Sequence, residues 1–281
     1  MDKQLHIKFW GVRGTLPSPG PETKRYGGNT SCVEVYVEGD PSSHIILDAG
    51  TGIARCGQSA WLRGQRNFTV LMSHMHYDHI LGLIRFTPFF RKDCKISICG
   101  HDHKNETFEQ IMAGFFKHPY FPVSYDLLPA KDNISFKELL SENSLSIGEF
   151  KIVWMKLFHP QDAWAYKITW QGKTVVYATD HETGTPIDDE LVKFSHKADL
   201  FIFDSTYSTH QYDMYQGWGH STSRAGAIFA KDAQVDQYYI FHHEVDSSDE
   251  FLENIILPEA RDVFQKSFLA KEGETIILQS A

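Results

Sequence analysis

Six apolar runs in this chain each stop at an aspartate or a histidine. "IIL" runs into Asp48, "TVLMS" into His74, "IVWMKLF" into His159, "VVYAT" into Asp180, "LFIF" into Asp204 and "YYIF" into His242. Their β-branched and aromatic content marks the runs as strands. A sheet fixes the positions of its strand ends while the following loops are free to vary, so side chains at several strand ends can serve one concave site. A single histidine or aspartate there is ordinarily a satisfied core group or a turn cap. Six together call for a shared partner, because each buried polar group left unpaired costs about 1–3 kcal/mol. Neutral imidazole nitrogens and carboxylate oxygens are the ligands of borderline divalent metals, which would supply that partner.

The densest stretch is "SHMHYDH", residues 73–79. His74 and His76 lie two positions apart and project to one side of an extended backbone. Asp78 comes two positions later, and His79 follows it at the start of a helical pattern. Such spacing can divide ligands between two metals about 3.5–4 Å apart, the separation at which a metal pair clamps the attacking and leaving oxygens of a hydrolysis. Met75 and Tyr77, between the ligand candidates, are expected to pack away from the metals.

Further strand runs are "HIKFWG" (6–11), "SCVEVYVEG" (31–39), "KISICG" (95–100), "AYKITW" (165–170) and "TIILQS" (275–280), and "WQGKTV" reads as a tight hairpin at Gly172. Helical patterns fall between them: "DHILGLIRFTPFF" after the histidine cluster, "ETFEQIMAGFF" (106–116), "STSRAGAIFAKDA" (221–233) with Ser/Thr caps, and "SDEFLENIILPEARDVFQKSF" near the end. Strands first, then strands alternating with helices, predict an α/β sandwich of αββα type: two mixed β-sheets packed together, helices on the outer faces. The 281 residues, 42% hydrophobic, suit a single domain over 1–281.

Charge disfavours some partners. With 27 basic and 36 acidic residues the chain carries a net charge of −9 and lacks the broad positive footprint of a nucleic-acid binder. No apolar run approaches the roughly 18 residues of a membrane span. The start, "MDKQLHIKFWG", has no secretory pattern, which with four unpaired-looking cysteines predicts a cytoplasmic protein. Cys94 and Cys99 offer a secondary possibility of a thiolate metal site.

The motif "HMHYDH" resembles the His-x-His-x-Asp-His signature of the metallo-β-lactamase superfamily. "FHP", "YATD" and "FHH" follow it in the family's order. Four stretches make the chain most similar to the branch of ribonuclease Z and the cyclic-phosphate phosphodiesterases: "GVRGTLPSPG…YGGNTSCVEV", "ILDAGTG", "PYFPV" (119–123) and "GWGHST" (217–222). The resemblance implies that His74, His76 and His159 bind one metal, that Asp78, His79 and His242 bind a second, and that Asp180 bridges them. Zinc is the favoured ion, with manganese and iron as alternatives. Asp48 resembles the family's buried aspartate that braces the histidine loop. His220 resembles its non-ligand histidine near the leaving group. Asp78 and His220 are thus the catalytic candidates, Asp78 doubling as a ligand, and Asp204 is a candidate to orient His220.

The chain departs from this branch after His242, where "HHEVDSSDE" replaces His-Asp-Pro, and after His159, where "HPQDAW" replaces Pro-Gly-Gly. Those loops border the substrate. The Gly/Pro-rich arm that holds transfer RNA in ribonuclease Z is not evident. The expectation is a dinuclear metal hydrolase for a small cyclic or nucleotide phosphodiester, with large nucleic acid disfavoured as a partner, no membrane partner, and a homodimer expected only because relatives dimerise. Alternatives are hydrolysis of a lactone or thioester, a di-iron redox or sensor protein, and a binding module with a degenerate site. His243, on the opposite side of an extended chain, and His181, His101 and His103 are read as lying outside the site. The aromatic runs "FFKHPYFPVSY" (115–125) and "YDMYQGW" (212–218) are candidate pocket walls, able to stack on a base.

Overall fold

The computed structural model describes residues 3–101, 106–140 and 144–280. Two seven-stranded sheets form its centre. The first contains β1 (Gln4–Gly11), β2 (Cys32–Val37), β3 (Asp40–Leu47), β4 (Asn67–Leu71), β5 (Lys95–Gly100), β6 (Ile134–Glu138) and, at its other edge beside β1, β14 (Thr275–Gln279). The second runs from β7 (Leu145–Ile147) through β8 (Phe150–Leu157), β9 (Ala163–Trp170), β10 (Lys173–Ala178), β11 (Leu200–Asp204) and β12 (Gln237–Phe241) to β13 (Ser267–Leu269).

Strand alternation builds the layers. Val175 and Tyr177 of β10, Leu200 and Ile202 of β11, and Tyr239 and Phe241 of β12 enter the core between the sheets. There they meet Leu5, Ile7 and Phe9 of β1 and Val33 and Val35 of β2. The intervening Val176, Ala178, Phe201, Phe203, Tyr238 and Ile240 face the other way into an outer core. Apolar residues on both faces of these strands are what burial between helices and a second sheet requires.

Helices cover both outer faces. α1 (Ile53–Leu62), α2 (Tyr77–Ile80) and α3 (Phe108–Phe115) lie with the first sheet. α4 (Asp188–Phe194), α5 (Thr209–Tyr212), α6 (Ser223–Asp232), α7 (Asp249–Phe251) and α8 (Leu257–Arg261) belong to the second half of the chain. Thr222 caps α6 by accepting from the Ala225 N–H, as the Ser/Thr start predicts. The αββα expectation therefore holds.

One expected helix does not form. After the four residues of α2 the chain breaks into 3₁₀ turns at Leu81–Arg85 and Thr87–Phe90. Gly82 packs against the Gly50 carbonyl so closely that a Cβ would sit 2.0 Å from its oxygen. Pro88 removes a backbone donor from any continuing helix. Apolar periodicity in this stretch reflects side chains such as Leu83, Phe86 and Phe89 filling the outer core from successive turns. The long helical pattern near the C-terminus is likewise interrupted, by a π-helical turn at Leu252–Ile256 between α7 and α8.

Strand direction positions the site. β3 and β4 are parallel, so Asp48 and His74 leave the first sheet at the same edge. In the second sheet β10, β11 and β12 are mutually parallel. β8 is antiparallel to β9, which is antiparallel to β10. Two reversals restore the direction, so His159, Asp180, Asp204 and His242 all emerge at one edge of that sheet.

Candidate metal centre

Three of these strand ends leave their sheets in the left-handed region: Asp48 at φ +59°, Asp180 at +55° and His242 at +61°. A non-glycine residue held there costs on the order of 1–3 kcal/mol, and such strain concentrates at functional sites. The two sheets deliver their residues to a single cluster. His74, His76, His159 and Asp180 offer ligand atoms all within 4.8 Å of one another, and so do Asp78, His79, Asp180 and His242.

Asp180 belongs to both groups and faces each with a different oxygen. Its Oδ2 lies 3.5 Å from His74 Nε2 and 3.7 Å from His159 Nε2. Its Oδ1 lies 3.3 Å from His79 Nε2 and 3.4 Å from His242 Nε2. His76 Nδ1 is 3.2 Å from His159 Nε2. Asp78 Oδ2 sits 3.2 Å from His79 Nε2 and 3.1 Å from His242 Nε2.

The far side of each imidazole is already engaged. His79 Nδ1 donates to Asp48 at 2.7 Å, and His159 Nδ1 donates to the Gly219 carbonyl at 2.7 Å. His242 Nδ1 meets the Thr206 hydroxyl, His74 Nδ1 the Ser73 hydroxyl, and His76 Nε2 the Gln161 side-chain carbonyl. Fixing one ring nitrogen in this way aims the lone pair of the other at the cluster. Inside it, the buried Nε2 atoms of His74 and His79 have no hydrogen-bond partner. Burial pushes His74 well below the ordinary histidine range and His159 down to about 4, against the attraction of Asp180, so both rings are neutral. Burial also opposes charge on Asp180, but the imidazoles around it outweigh that and hold its carboxyl well below the usual range. Burial opposes charge on His79 too, but the Asp78, Asp180 and Asp48 carboxylates outweigh it and hold that ring well above the ordinary range, with a proton that a bound cation would displace. Neutral His74 and His159, the ionised Asp180 and the orphaned Nε2 atoms of His74 and His79 converge on one point as a donor set suited to a divalent metal.

The supporting contacts were not legible in the sequence, apart from Asp48. That residue accepts from the Ser73 N–H and hydroxyl, from His79 and from the Tyr177 hydroxyl. Gln161 and Thr206 carry no local signal; each meets its histidine across 85 or 36 residues of chain. The loop after β1 closes over the cluster as well. The Thr15 N–H donates to Asp78 Oδ2 at 2.8 Å, and a Cβ on Gly14 would lie 2.3 Å from the His242 ring.

His220 stands beside the cluster, its ring stacked 4.9 Å from that of His242. Its Nδ1 donates to Asp204 Oδ2 at 2.9 Å and lies 3.9 Å from Asp180. Burial disfavours its charge, but the Asp204 carboxylate outweighs this and raises its pKa to about 9. Asp204, His220 and His242 form a third group close enough for a metal, although the nearest His220 nitrogen is committed to Asp204.

The remaining histidines stay out of the cluster. His243 turns to the Ala270 carbonyl, and His181 is held by the Phe158 N–H and Asp188. His101 stacks on Trp164 at 3.6 Å, while His103 lies outside the described residues. No cysteine belongs to a metal-competent group among the described residues. Met75 packs on the outer core, and Tyr77 is turned to solvent, 72% exposed. The run 115–125 is mostly packing, with Phe116 buried and Phe115, Phe121, Val123 and Tyr125 against the same outer core.

No helix among the described residues is long and apolar enough to cross a membrane. The chain is 20% identical to a ribonuclease Z of Thermoplasma acidophilum, over 97% of this chain and 96% of that protein. It is 25% identical to the probable metallo-hydrolase YhfI of Bacillus subtilis, over 85% and 86% of the two chains. The crystal structure of that Bacillus protein superposes with a TM-score of 0.74 at 20% identity, covering 99% of this chain and 100% of the other. The human short-form tRNase Z superposes with a TM-score of 0.65 at 21% identity, covering 96% and 98%. Residues 43–243, which carry every candidate ligand, match the family model described as the beta-lactamase superfamily domain, and the chain belongs to that family, with the fold of a metallo-β-lactamase and the descent of a metal-dependent hydrolase.

Proposed function

We propose that the chain is a dinuclear metal-dependent phosphodiesterase acting on a small cyclic or nucleotide diester. The observation that carries this is Asp180, one oxygen turned to His74 and His159 and the other to His79 and His242. His74, His76 and His159 would hold one ion, Asp78, His79 and His242 the second, and Asp180 both, with zinc favoured by the donor set. Two such ions, when bound, acidify a water to give hydroxide near neutral pH and neutralise phosphoryl charge.

The rest of the chemistry falls to the chain. Asp48, Gly219 and Gln161 fix the rings of His79, His159 and His76, so that the ligand set is preorganised rather than assembled on binding. Asp204 accepts the Nδ1–H of His220, which leaves Nε2 free to carry the second proton of the ring. With a pKa near 9 that ring is protonated at neutral pH and can give the Nε2 proton to a departing alkoxide. The relatives called ribonuclease Z support phosphodiester chemistry by their name. Net charge −9 supports a small substrate over a long polyanion.

A substrate panel tests the reading: bis(p-nitrophenyl) phosphate, cyclic AMP, cyclic GMP, 2′,3′-cyclic nucleotides and a lactone, each with wild type and His76→Ala. Diester turnover abolished by the substitution is the expected result. Turnover of the lactone alone would overturn the phosphodiesterase assignment in favour of ester hydrolysis on the same site.

A further inference from the structure

The segment Gly217–Trp218–Gly219 presents an indole to solvent from an unusually well-anchored backbone. Glu182, buried two residues after Asp180, accepts from both flanking glycines: the Gly217 N–H at 2.6 Å on one carboxylate oxygen and the Gly219 N–H at 2.8 Å on the other. Both glycines are left-handed, at φ +87° and +86°, and a Cβ on Gly219 would lie 2.3 Å from His159 Nδ1. The Gly219 carbonyl in turn accepts from that nitrogen. The turn is therefore bolted to a metal-ligand candidate on one side and to the loop after Asp180 on the other.

Between its two anchors Trp218 is 62% exposed. A continuous set of rings connects it to the site. Its indole meets Tyr215 edge-on at 5.4 Å; Tyr215 stacks flat on the buried Tyr207 at 4.4 Å; Tyr207 approaches His220 edge-on at 6.1 Å. Other large apolar side chains around the cluster are exposed too. Leu16 follows Thr15, Tyr77 sits between His76 and Asp78, and Phe158 precedes His159, at 55%, 72% and 47% exposure. Single exposed apolar side chains are ordinary, but a set flanking one polar site marks a binding surface. Lys156, the cation nearest to His159 in sequence, is paired with Asp162 at 2.7 Å.

We infer that Trp218, held by Glu182, is a specificity-determining platform on which an aromatic ring of the substrate, a nucleobase in the first instance, stacks beside the scissile phosphodiester. For its substrate class the assignment rests on the phosphodiesterase reading. A planar π-face bound to a preordered indole gains affinity without sequence-specific hydrogen bonds, so different bases should be accepted alike. A rigid presentation avoids the ordering cost that a mobile tryptophan would carry.

The test uses the metal-loaded full chain and calorimetric titration with 5′-AMP and with inorganic phosphate, in wild type, Trp218→Ala and Trp218→Phe. Wild type should bind 5′-AMP about tenfold more tightly than phosphate, the scale of one base stack. Trp218→Ala should abolish that preference with phosphate affinity unchanged, and Trp218→Phe should retain most of it. Equal affinity for the two ligands in wild type, or a preference untouched by Trp218→Ala, would overturn the platform. So would a change of oligomeric state in Trp218→Ala on gel filtration, which would assign the indole to an interface between copies. A base preference removed by Trp218→Ala in a protein that hydrolyses no diester would instead refute the phosphodiesterase reading and leave the platform standing.

Discussion

His220 separates two kinds of work within a few ångströms. It lies 3.9 Å from Asp180, yet its Nδ1 is taken by Asp204, so its contribution is to proton transfer rather than to ligation. His220→Ala should lower turnover about 10²–10⁴-fold, the usual range for loss of a general acid, with metal content unchanged by elemental analysis. Parallel loss of metal and turnover would make it a ligand or a structural support. At this scale the sequence was most informative where chemistry is contiguous: His74, His76, Asp78 and His79 announce themselves within six positions. Gln161, Thr206 and Glu182 did not, because their roles depend on which backbone or ring they meet after folding. Tyr77, at the start of a helical turn rather than on a strand, faces solvent instead of packing on a core.

Among the elements, strands that end at a ligand were recognisable, since burial on both faces gives them dense apolar runs. β6, β7 and β13 are not: they are edge strands of three to five residues, too short to show a strand period. The region after the histidine cluster reads as a helix because 3₁₀ turns and α-helices place apolar side chains at similar spacing over a few residues. The loop from Val12 to Leu16 was known only as a family-like motif, and the fold explains its glycine. Gly14 lies against the His242 ring, and its neighbour Thr15 gives an N–H to Asp78. Gly14→Ala should therefore displace both residues of one metal group and sharply reduce occupancy there, while His74, His76 and His159 keep theirs. Metal analysis showing about half the wild-type content is the expected outcome; full content would mean that the loop yields without disturbing His242.

Across the whole molecule, the candidate centre is where the two sheets are joined chemically. The first sheet contributes His74 to His79 and the brace Asp48; the second contributes His159, Asp180 and His242. The αββα architecture was readable because its periodicities are carried by many residues at once. The convergence of the two sheet edges was readable only through the ligand pattern, since nothing local says that residues 74 and 242 meet. The measurement that bears most directly on the account is titration of zinc into chelator-stripped protein, following bound metal per chain and hydrolysis of bis(p-nitrophenyl) phosphate, in wild type and in Asp180→Ala. The account predicts that wild-type activity returns as about two equivalents bind, and that Asp180→Ala loses both the paired binding and the turnover. Turnover that saturates at one equivalent, or that survives in Asp180→Ala, would contradict a centre built on two ions sharing that carboxylate.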